Sequence, residues 1–177
     1  MRLFLGLSLP KAVLRETGRL SQLASCRIPG RYTAPQHHHI TLAFLGEVPE
    51  GRLPDAHALL TECLRRAPAP LLLLDGCGYF GAPQRAIFIV RVKSTPDLCP
   101  LHEALIRGAQ MRALPFDPGP FSPHITLARR AVLSQEALDS LHPRPLSFRP
   151  TQAHVFLSAR DAQGRLCYTP LASAPFA

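Results

Sequence analysis

Two histidine–threonine pairs are the side chains of this sequence best suited to catalysis. The pentapeptide His-Ile-Thr-Leu-Ala stands at 39–43 and again at 124–128, and the copies begin 85 residues apart, at 39 and 124, in a chain of 177. A repeat of this length is improbable by chance in so short a chain and indicates an internal duplication. We therefore expect two related halves, each carrying one copy of the motif.

The spacing within each copy predicts phosphoester chemistry. On a β-strand alternate side chains share a face, so His39 and Thr41 lie together, as do His124 and Thr126. If a pseudo-two-fold axis relates the copies, two imidazoles and two hydroxyls surround one point. Since imidazole titrates near neutrality, one ring can take a proton from water while the other donates to a leaving oxygen. The hydroxyls can donate hydrogen bonds to the non-bridging oxygens of a phosphate.

The histidine run at 37–39 raises a different hypothesis, a zinc-dependent hydrolase that uses His37 and His39. Adjacent side chains on a strand diverge, so three consecutive histidines do not readily close on one ion. We therefore expect no metal at the site. The remaining histidines have no motif around them and are interpreted as surface or packing residues: His57, His102, His142 and His154.

Hydrophobic periodicity predicts the elements that position the two motifs. Strands are predicted at 2–8, 38–45, 71–75, 85–93, 123–128 and 152–158, with a short last strand at 166–169 after a turn at 161–164. Helices are predicted from Pro10, over 52–66, over 97–112 and from Ser134 to Leu141. Each half therefore follows the order strand, helix, strand, helix, strand. The repeated pentapeptide lies on the middle strand of each half, which predicts two similar lobes.

The composition is typical of a globular protein with an anionic partner. Hydrophobic residues make up 46% of the chain, and no apolar run approaches the roughly 18 residues that a membrane span requires. The formal net charge is +8, and 18 of the 20 basic residues are arginine, whose planar guanidinium suits phosphate oxygens. Nucleic acid is the first candidate for the partner, although an arginine-rich composition overall explains the charge equally well.

The cysteines indicate a reducing compartment. Five cysteines, an odd number with no Cys-x-x-Cys pair, favour free thiols in a cytoplasmic protein. The apolar stretch at the N-terminus is short, is ended by Pro10 and Lys11, and is followed by no cleavage site. We therefore expect no secretion signal.

The duplicated motif resembles that of the 2H phosphoesterases. Four segments narrow the resemblance to the RNA 2′,3′-cyclic phosphodiesterase branch, also called the LigT or 2′-5′ RNA ligase family: RLFLGLSLP at 2–10, HITLAFLGEV at 39–48, SPHITLARR at 122–130 and YTPL at 168–171. The resemblance spans nearly the whole chain. It implies an α+β fold of two pseudo-symmetric lobes, each an antiparallel sheet with helices outside, and an active-site cleft between the sheets. We expect one domain over 1–177, with halves at roughly 1–77 and 84–160.

The resemblance also implies an activity and roles for the motif residues. The activity is hydrolysis of a terminal 2′,3′-cyclic phosphate to a 2′-phosphomonoester without metal or cofactor, and some relatives also join 2′-5′ RNA ends reversibly. His39 matches the family's proton donor and His124 its proton acceptor. Thr41 and Thr126 match the phosphate-binding threonines. The family also carries an arginine directly after the second motif, a position that Arg129 matches.

Three further positions, Arg130, Phe80 and Tyr32, lie outside the repeated pentapeptide. Strict alternation places Arg130 on the face of Thr126, so a bulge or the strand end is needed to bring Arg129 there; we take both arginines as candidate substrate-binding residues and favour Arg129. Phe80, in GYFG at 78–81, matches an aromatic position near the substrate in relatives, where it either stacks on a base or simply packs. Tyr32 departs from the family, because many relatives have Trp there.

Other functions and several substrates stay open. A basic cleft would also serve a non-catalytic RNA-binding module of the same fold, although two intact histidine–threonine pairs favour an enzyme. The compatible substrates are RNA ends such as tRNA fragments, nucleotide 2′,3′-cyclic phosphates, ADP-ribose 1″,2″-cyclic phosphate and 2′-5′-linked RNA. We expect a cytoplasmic monomer that makes no membrane contact.

Overall fold

Antiparallel strands form the frame of the molecule, and helices pack against them. The computed structural model describes residues 1–94 and 96–177. In chain order the elements are β1 (Arg2–Ser8), α1 (Lys11–Ser25), β2 (Arg31–Tyr32), β3 (His39–Glu47), α2 (Leu53–Leu64), β4 (Leu72–Phe80), β5 (Ala86–Ser94), α3 (Leu98–Met111), β6 (His124–Ala131), α4 (Gln135–Asp139), β7 (Ser147–Phe148), β8 (Gln152–Arg160) and β9 (Leu166–Pro175). This confirms the predicted α+β class.

The strands form two half-sheets that meet at one residue pair. The strand order is β7-β4-β5-β6-β3-β1-β8-β9, with β2 also paired to β6, and the neighbouring strands are antiparallel. At the centre β3 pairs with β6 only through Ile40 and Ile125. These are the second residues of the two pentapeptides, so the junction of the half-sheets lies within the repeated motif.

The lobes do not coincide with the halves of the sequence. The third strand of each half pairs in the other lobe: β4 pairs with β5, and β8 pairs with β1. Helices cross over in the same way, because α1 packs against β6 and α3 packs against β3. The expectation that each half folds into its own lobe is therefore wrong. Each lobe contains strands from both halves.

Both motif strands carry the same bulge directly after their threonine. Opposite β1, β3 has one extra residue between Thr41 and Ala43, and opposite β5, β6 has one extra residue between Thr126 and Ala128. In each case the extra residue is the leucine of the motif, and it is buried together with the alanine that follows. An extra residue shifts the alternation of side chains by one. The sixth residue of each motif strand, Phe44 in β3 and Arg129 in β6, therefore lies on the same face as the threonine.

The predicted elements are present, with corrected ends. Gly46 does not end β3 but lies inside it with φ of 77°, at a second irregularity of the strand. The strand predicted at 71–75 continues to Phe80, and the one predicted at 166–169 continues to Pro175. Ser134 caps α4 as predicted, since its Oγ accepts a hydrogen bond from the Ala137 N–H at 3.2 Å. No helix in the described part of the chain has both the length and the hydrophobicity of a membrane span.

Candidate active site

The junction of the half-sheets brings the two histidine–threonine pairs together. Ile40 and Ile125 are fully buried, so the histidines and threonines beside them lie on the opposite face of the sheet, where they are half-buried. Continuing the antiparallel register by one residue in each direction sets His39 beside Thr126 and Thr41 beside His124. This is the arrangement that the duplication predicted.

Identical hydrogen bonds orient the two imidazoles. His39 Nδ1 lies 2.8 Å from the carbonyl oxygen of His37, and His124 Nδ1 lies 2.7 Å from that of Ser122, two residues earlier in each case. A carbonyl oxygen only accepts, so Nδ1 must carry the hydrogen in both rings. In the neutral ring the lone pair is then on Nε2. Each Nε2 can therefore accept a proton when neutral and donate one when charged.

Both imidazoles are neutral in the free protein near pH 7. Burial lowers the pKa of His39 to about 4, against a smaller opposing effect of the hydrogen bond to His37. Burial also lowers the pKa of His124. The positive charge of Arg129 lowers the pKa of both rings. An anion bound between these groups would reverse the last effect, because an opposite charge favours the protonated form.

Of the two candidate arginines, only Arg129 lies on the face of the motif residues. The bulge after Thr126 carries Arg129 to the side of that threonine, where it is half-buried and its Nε is buried with no hydrogen-bond partner in the described part of the chain. Arg130 is exposed and has a φ of 51°, in the left-handed region. The alternation argument for Arg130 is therefore wrong as geometry, because the strand is not regular there.

Aromatic rings surround the two histidines unequally. Phe80, 36% exposed, lies edge-on to His124 with 4.9 Å between ring centroids. His39 instead contacts Phe4 at 4.7 Å, Tyr168 at 4.6 Å and Phe156 at 5.7 Å. Sequence reasoning missed these three rings, although Tyr168 belongs to a segment that resembles the family.

A cavity of about 250 Å³ adjoins His39, and its lining comes from β1, β3, β8 and β9 and from the segments 9–14 and 36–38. Tyr168, Pro170 and Leu9 form its apolar wall, and Gln36 and Gln152 contribute amide groups. The cavity is continuous with the ring cluster around His39. It provides space beside the imidazole for part of a bound molecule.

The histidine run at 37–39 does not converge on a point. His37 Nδ1 accepts from the Tyr168 N–H at 3.5 Å, whereas the buried His38 ring lies between Thr17 Oγ1, at 2.8 Å, and the Thr33 carbonyl, at 3.2 Å. Within residues 1–94 and 96–177 no three His, Cys, Asp or Glu side chains are grouped so that they could hold a metal ion.

Comparison with known proteins gives one consistent family. The profile described as the 2′-5′ RNA ligase superfamily matches residues 14–162. A Geobacillus stearothermophilus protein named RNA 2′,3′-cyclic phosphodiesterase is 35% identical over 78% of this chain, which spans about half of that relative, 46%. The Escherichia coli protein of the same name is 33% identical over 96% of this chain and 93% of its own length.

Solved structures agree with the sequence comparisons. The crystal structure of TT0787 of Thermus thermophilus superposes with a TM-score of 0.80 at 28% identity, covering 99% of this chain and 98% of that one. E. coli LigT complexed with 3′-AMP superposes with a TM-score of 0.77 at 26% identity, covering 99% and 97%. The profile match, the near-full-length identity to the E. coli relative and the shared fold confirm the resemblance: this chain belongs to the 2′-5′ RNA ligase superfamily, within the 2H phosphoesterases.

Proposed function

We propose that this protein hydrolyses the terminal 2′,3′-cyclic phosphate of RNA to a 2′-phosphomonoester. The observation that carries the proposal is the pair of imidazoles held in the same tautomer on two related strands, each with Nε2 available for proton transfer. Relatives from G. stearothermophilus, T. thermophilus and E. coli carry the name of this activity. The partners would be RNA ends or nucleotide 2′,3′-cyclic phosphates, handled by a cytoplasmic monomer.

Two histidines are sufficient for both proton transfers of the reaction. His124 Nε2 takes a proton from water as the water oxygen bonds to phosphorus, and the bond from phosphorus to the 3′ oxygen breaks. The His39 imidazolium donates its Nε2 proton to the departing 3′ oxygen. An RNA 5′-hydroxyl in place of water would give a 2′-5′ linkage by the same steps, which accounts for a secondary ligase activity.

Substrate binding supplies the charge state that this scheme requires. The free site holds two neutral imidazoles, so one of them must gain a proton when the cyclic phosphate binds. The phosphate anion favours that protonation. We assign the donor role to His39 and the acceptor role to His124 because the resemblance implies those roles.

Thr41, Thr126 and Arg129 would hold the phosphate. Both hydroxyls lie on the face of the imidazoles, and the partnerless buried Nε of Arg129 is a donor without an acceptor in the described part of the chain. Donors fixed before the reaction stabilise the charge that builds up on the non-bridging oxygens without having to reorganise.

End-group analysis tests the proposal. An oligonucleotide ending in a 2′,3′-cyclic phosphate is incubated with the protein and EDTA, and the expected product carries only a 2′-phosphate. His39→Ala and His124→Ala should each lower kcat by at least about 100-fold. The double variant should be far less than multiplicatively worse, because the two rings act in one step.

The exposed His142 provides a matched control, since His142→Ala removes an imidazole away from the site. A 3′-phosphate product would contradict the assigned leaving group. Near-normal turnover in either active-site variant would overturn the two-histidine mechanism. Loss of activity in EDTA that zinc restores would favour a metal-dependent hydrolase.

A further inference from the structure

A second arginine lies beside Arg129 on the same face of the sheet. The two-residue strand β2 pairs with β6 so that Arg31 is directly opposite Arg129, and Tyr32 is opposite Ala128. Side chains directly opposite each other in an antiparallel pair project to the same side, with Cβ atoms about 5 Å apart. Arg31 therefore projects toward the side on which the motif histidines and threonines lie.

The neighbouring pair, Tyr32 and Ala128, shows independently which side of the sheet Arg31 and Arg129 face. The Tyr32 ring packs against the core, its hydroxyl donates to the Ile28 carbonyl at 2.9 Å, and burial raises its pKa to about 12. Ala128 opposite it is fully buried. Because adjacent residues on a strand face opposite ways, Arg31 and Arg129 face away from the core. Arg31 is exposed at the rim, and Arg129 is half-buried further in.

The two guanidinium groups have no counter-ion among the residues that the structure describes. Within residues 1–94 and 96–177 neither side chain forms a salt bridge or a hydrogen bond, and the Nε of Arg129 is buried without an acceptor. Like charges directly opposite each other on a sheet are destabilising. The fold keeps this arrangement at the edge of the candidate site, where a bound polyanion would neutralise both charges.

We propose that Arg31 binds a second phosphate, the phosphodiester that joins the terminal nucleotide to the rest of an RNA strand. The inference rests on the proposed function and deepens it, because Arg129 holds the reacting cyclic phosphate while Arg31 holds its neighbour along the backbone. The side-by-side register sets two long basic side chains next to each other, so that one can reach the reacting phosphate while the other reaches a neighbouring phosphate of the same strand. Arg31 thereby makes the site selective for RNA ends over free cyclic nucleotides.

The test compares two substrates that differ by that phosphate. One is adenosine 2′,3′-cyclic phosphate, and the other is the dinucleotide ApA ending in a 2′,3′-cyclic phosphate. Arg31→Gln, which keeps much of the side-chain stem, should lower the ratio of kcat/KM for the dinucleotide to that for the mononucleotide by about 5- to 30-fold. Arg15→Gln removes an equally exposed arginine on α1 and should leave the ratio unchanged.

A charge-neutral methylphosphonate at the ApA linkage completes a double-mutant cycle. The methylphosphonate should lower kcat/KM of the wild-type protein, and it should not lower kcat/KM of Arg31→Gln any further. A binding measurement without turnover uses an RNA decamer ending in a 2′-phosphate. There the slope of log K against log salt concentration should become shallower by about 0.7 in Arg31→Gln, the value for one phosphate contact to a single strand.

Each outcome separates this inference from the proposed function. If the wild-type protein opens neither cyclic phosphate, the proposed function fails. If it opens both and Arg31→Gln reduces both equally, Arg31 acts on the reacting phosphate and the inference is overturned. Equal activity of Arg31→Gln and wild type on both substrates overturns it as well. Thermal unfolding of each variant shows whether a loss reflects misfolding.

Discussion

At the scale of single residues, Arg129 and Arg130 are neighbours in the chain and differ in their surroundings. Arg129 lies half-buried beside the motif, and its charge lowers the pKa of both histidines. Arg130 is exposed, and its backbone is in the left-handed region. A guanidinium can hold two phosphate oxygens in parallel, and lysine cannot reproduce that geometry. The two side chains should therefore contribute unequally to catalysis.

We expect Arg129→Lys to lose nearly as much activity as Arg129→Ala, with each losing about 2–4 kcal/mol in kcat/KM, as when a preorganised donor is removed. Arg130→Ala should change kcat/KM much less. Steady-state kinetics on a cyclic mononucleotide measures all three. If Arg130→Ala loses most of its kcat/KM while Arg129→Ala keeps it, the phosphate-binding role belongs to Arg130 and not to Arg129.

The lowered pKa values of the histidines predict an acidic optimum for the free protein. Catalysis needs one neutral and one charged ring, a state most populated between the two pKa values. His39 has a pKa of about 4 and that of His124 lies below its usual 6.5. The plot of kcat/KM against pH should therefore be bell-shaped with its maximum between about pH 4 and 6.5.

The bound phosphate raises both pKa values, so the curve for kcat should lie at higher pH than that for kcat/KM. Profiles measured with a cyclic mononucleotide, under conditions where the chemical step limits the rate, give both curves. A flat kcat/KM profile between pH 4 and 9 would contradict the paired acid–base mechanism.

At the scale of elements, two external donors hold the paired bulges in place. The carbonyl of Leu42, the extra residue of β3, accepts from His102 Nδ1 at 2.7 Å. The carbonyl of Leu127, its counterpart in β6, accepts from the Thr33 N–H at 2.8 Å. The bulges set the sixth residue of each motif strand on the site face, Phe44 in β3 and Arg129 in β6. His102 therefore helps to hold the bulge that directly follows Thr41.

His102→Phe should destabilise the protein by about 1–3 kcal/mol, because it leaves the Leu42 carbonyl without its donor while keeping a ring to stack on Phe121. Urea unfolding measures this loss. His142→Phe, at an exposed position, is the matched control. Equal stability of His102→Phe and wild type would mean that the bulge does not need this hydrogen bond.

The sequence could predict most elements of the fold, but periodicity did not locate the bulges or the full extent of the edge strands. A bulge near Arg129 was expected only because the family resemblance favours that arginine. Alternation placed His39 and Thr41 on one face correctly, because β3 is regular up to that threonine. It failed after the threonine, since leucine and alanine are apolar in any register and hide the extra residue. β9 was predicted too short because half of its ten residues are exposed and only Ala174 is buried, and β2 has only two residues, too few for any periodicity.

At the scale of the whole molecule, periodicity also could not reveal which strands pair. It predicted β4 and β8 as the third strands of their halves, but pairing across lobes depends on tertiary contacts that leave no local pattern. The duplication and the family resemblance supplied the two-lobed architecture instead. The site residues followed from the same repeat, whereas the rings around His39 come from β1, β8 and β9, at opposite ends of the chain.

Buried neutral histidines should make the entire molecule sensitive to acid. Burial lowers the pKa of His38 to about 4, as it does that of His39, and it also lowers the pKa of His124 and His154. The unfolded chain binds these protons near pH 6.5, so between the two pKa values each group removes about 1.4 kcal/mol of stability per unit fall in pH.

The free energy of unfolding should therefore fall steeply as the pH is lowered from about 6.5 to 5, before most carboxylates titrate. Urea unfolding at pH 7, 6 and 5 measures the slope, which should correspond to uptake of more than one proton. A stability that stays constant from pH 7 to 5 would show that the folded and unfolded chains bind the same number of protons, so that folding does not lower the pKa of these rings.

The crossing of the third strands bears on how such a chain can arise. In a polypeptide made of one half alone, the edge of β1 that β8 covers here would be open to the third strand of the same copy or of a second copy. Two copies that exchanged their third strands, as domain-swapped dimers do, would have the pairing seen here. End-to-end fusion of the two copies through the short β4–β5 connection, residues 81–85, produces the present connectivity. In such an ancestor the two histidines would belong to different subunits, so the catalytic centre would exist only in the assembled pair.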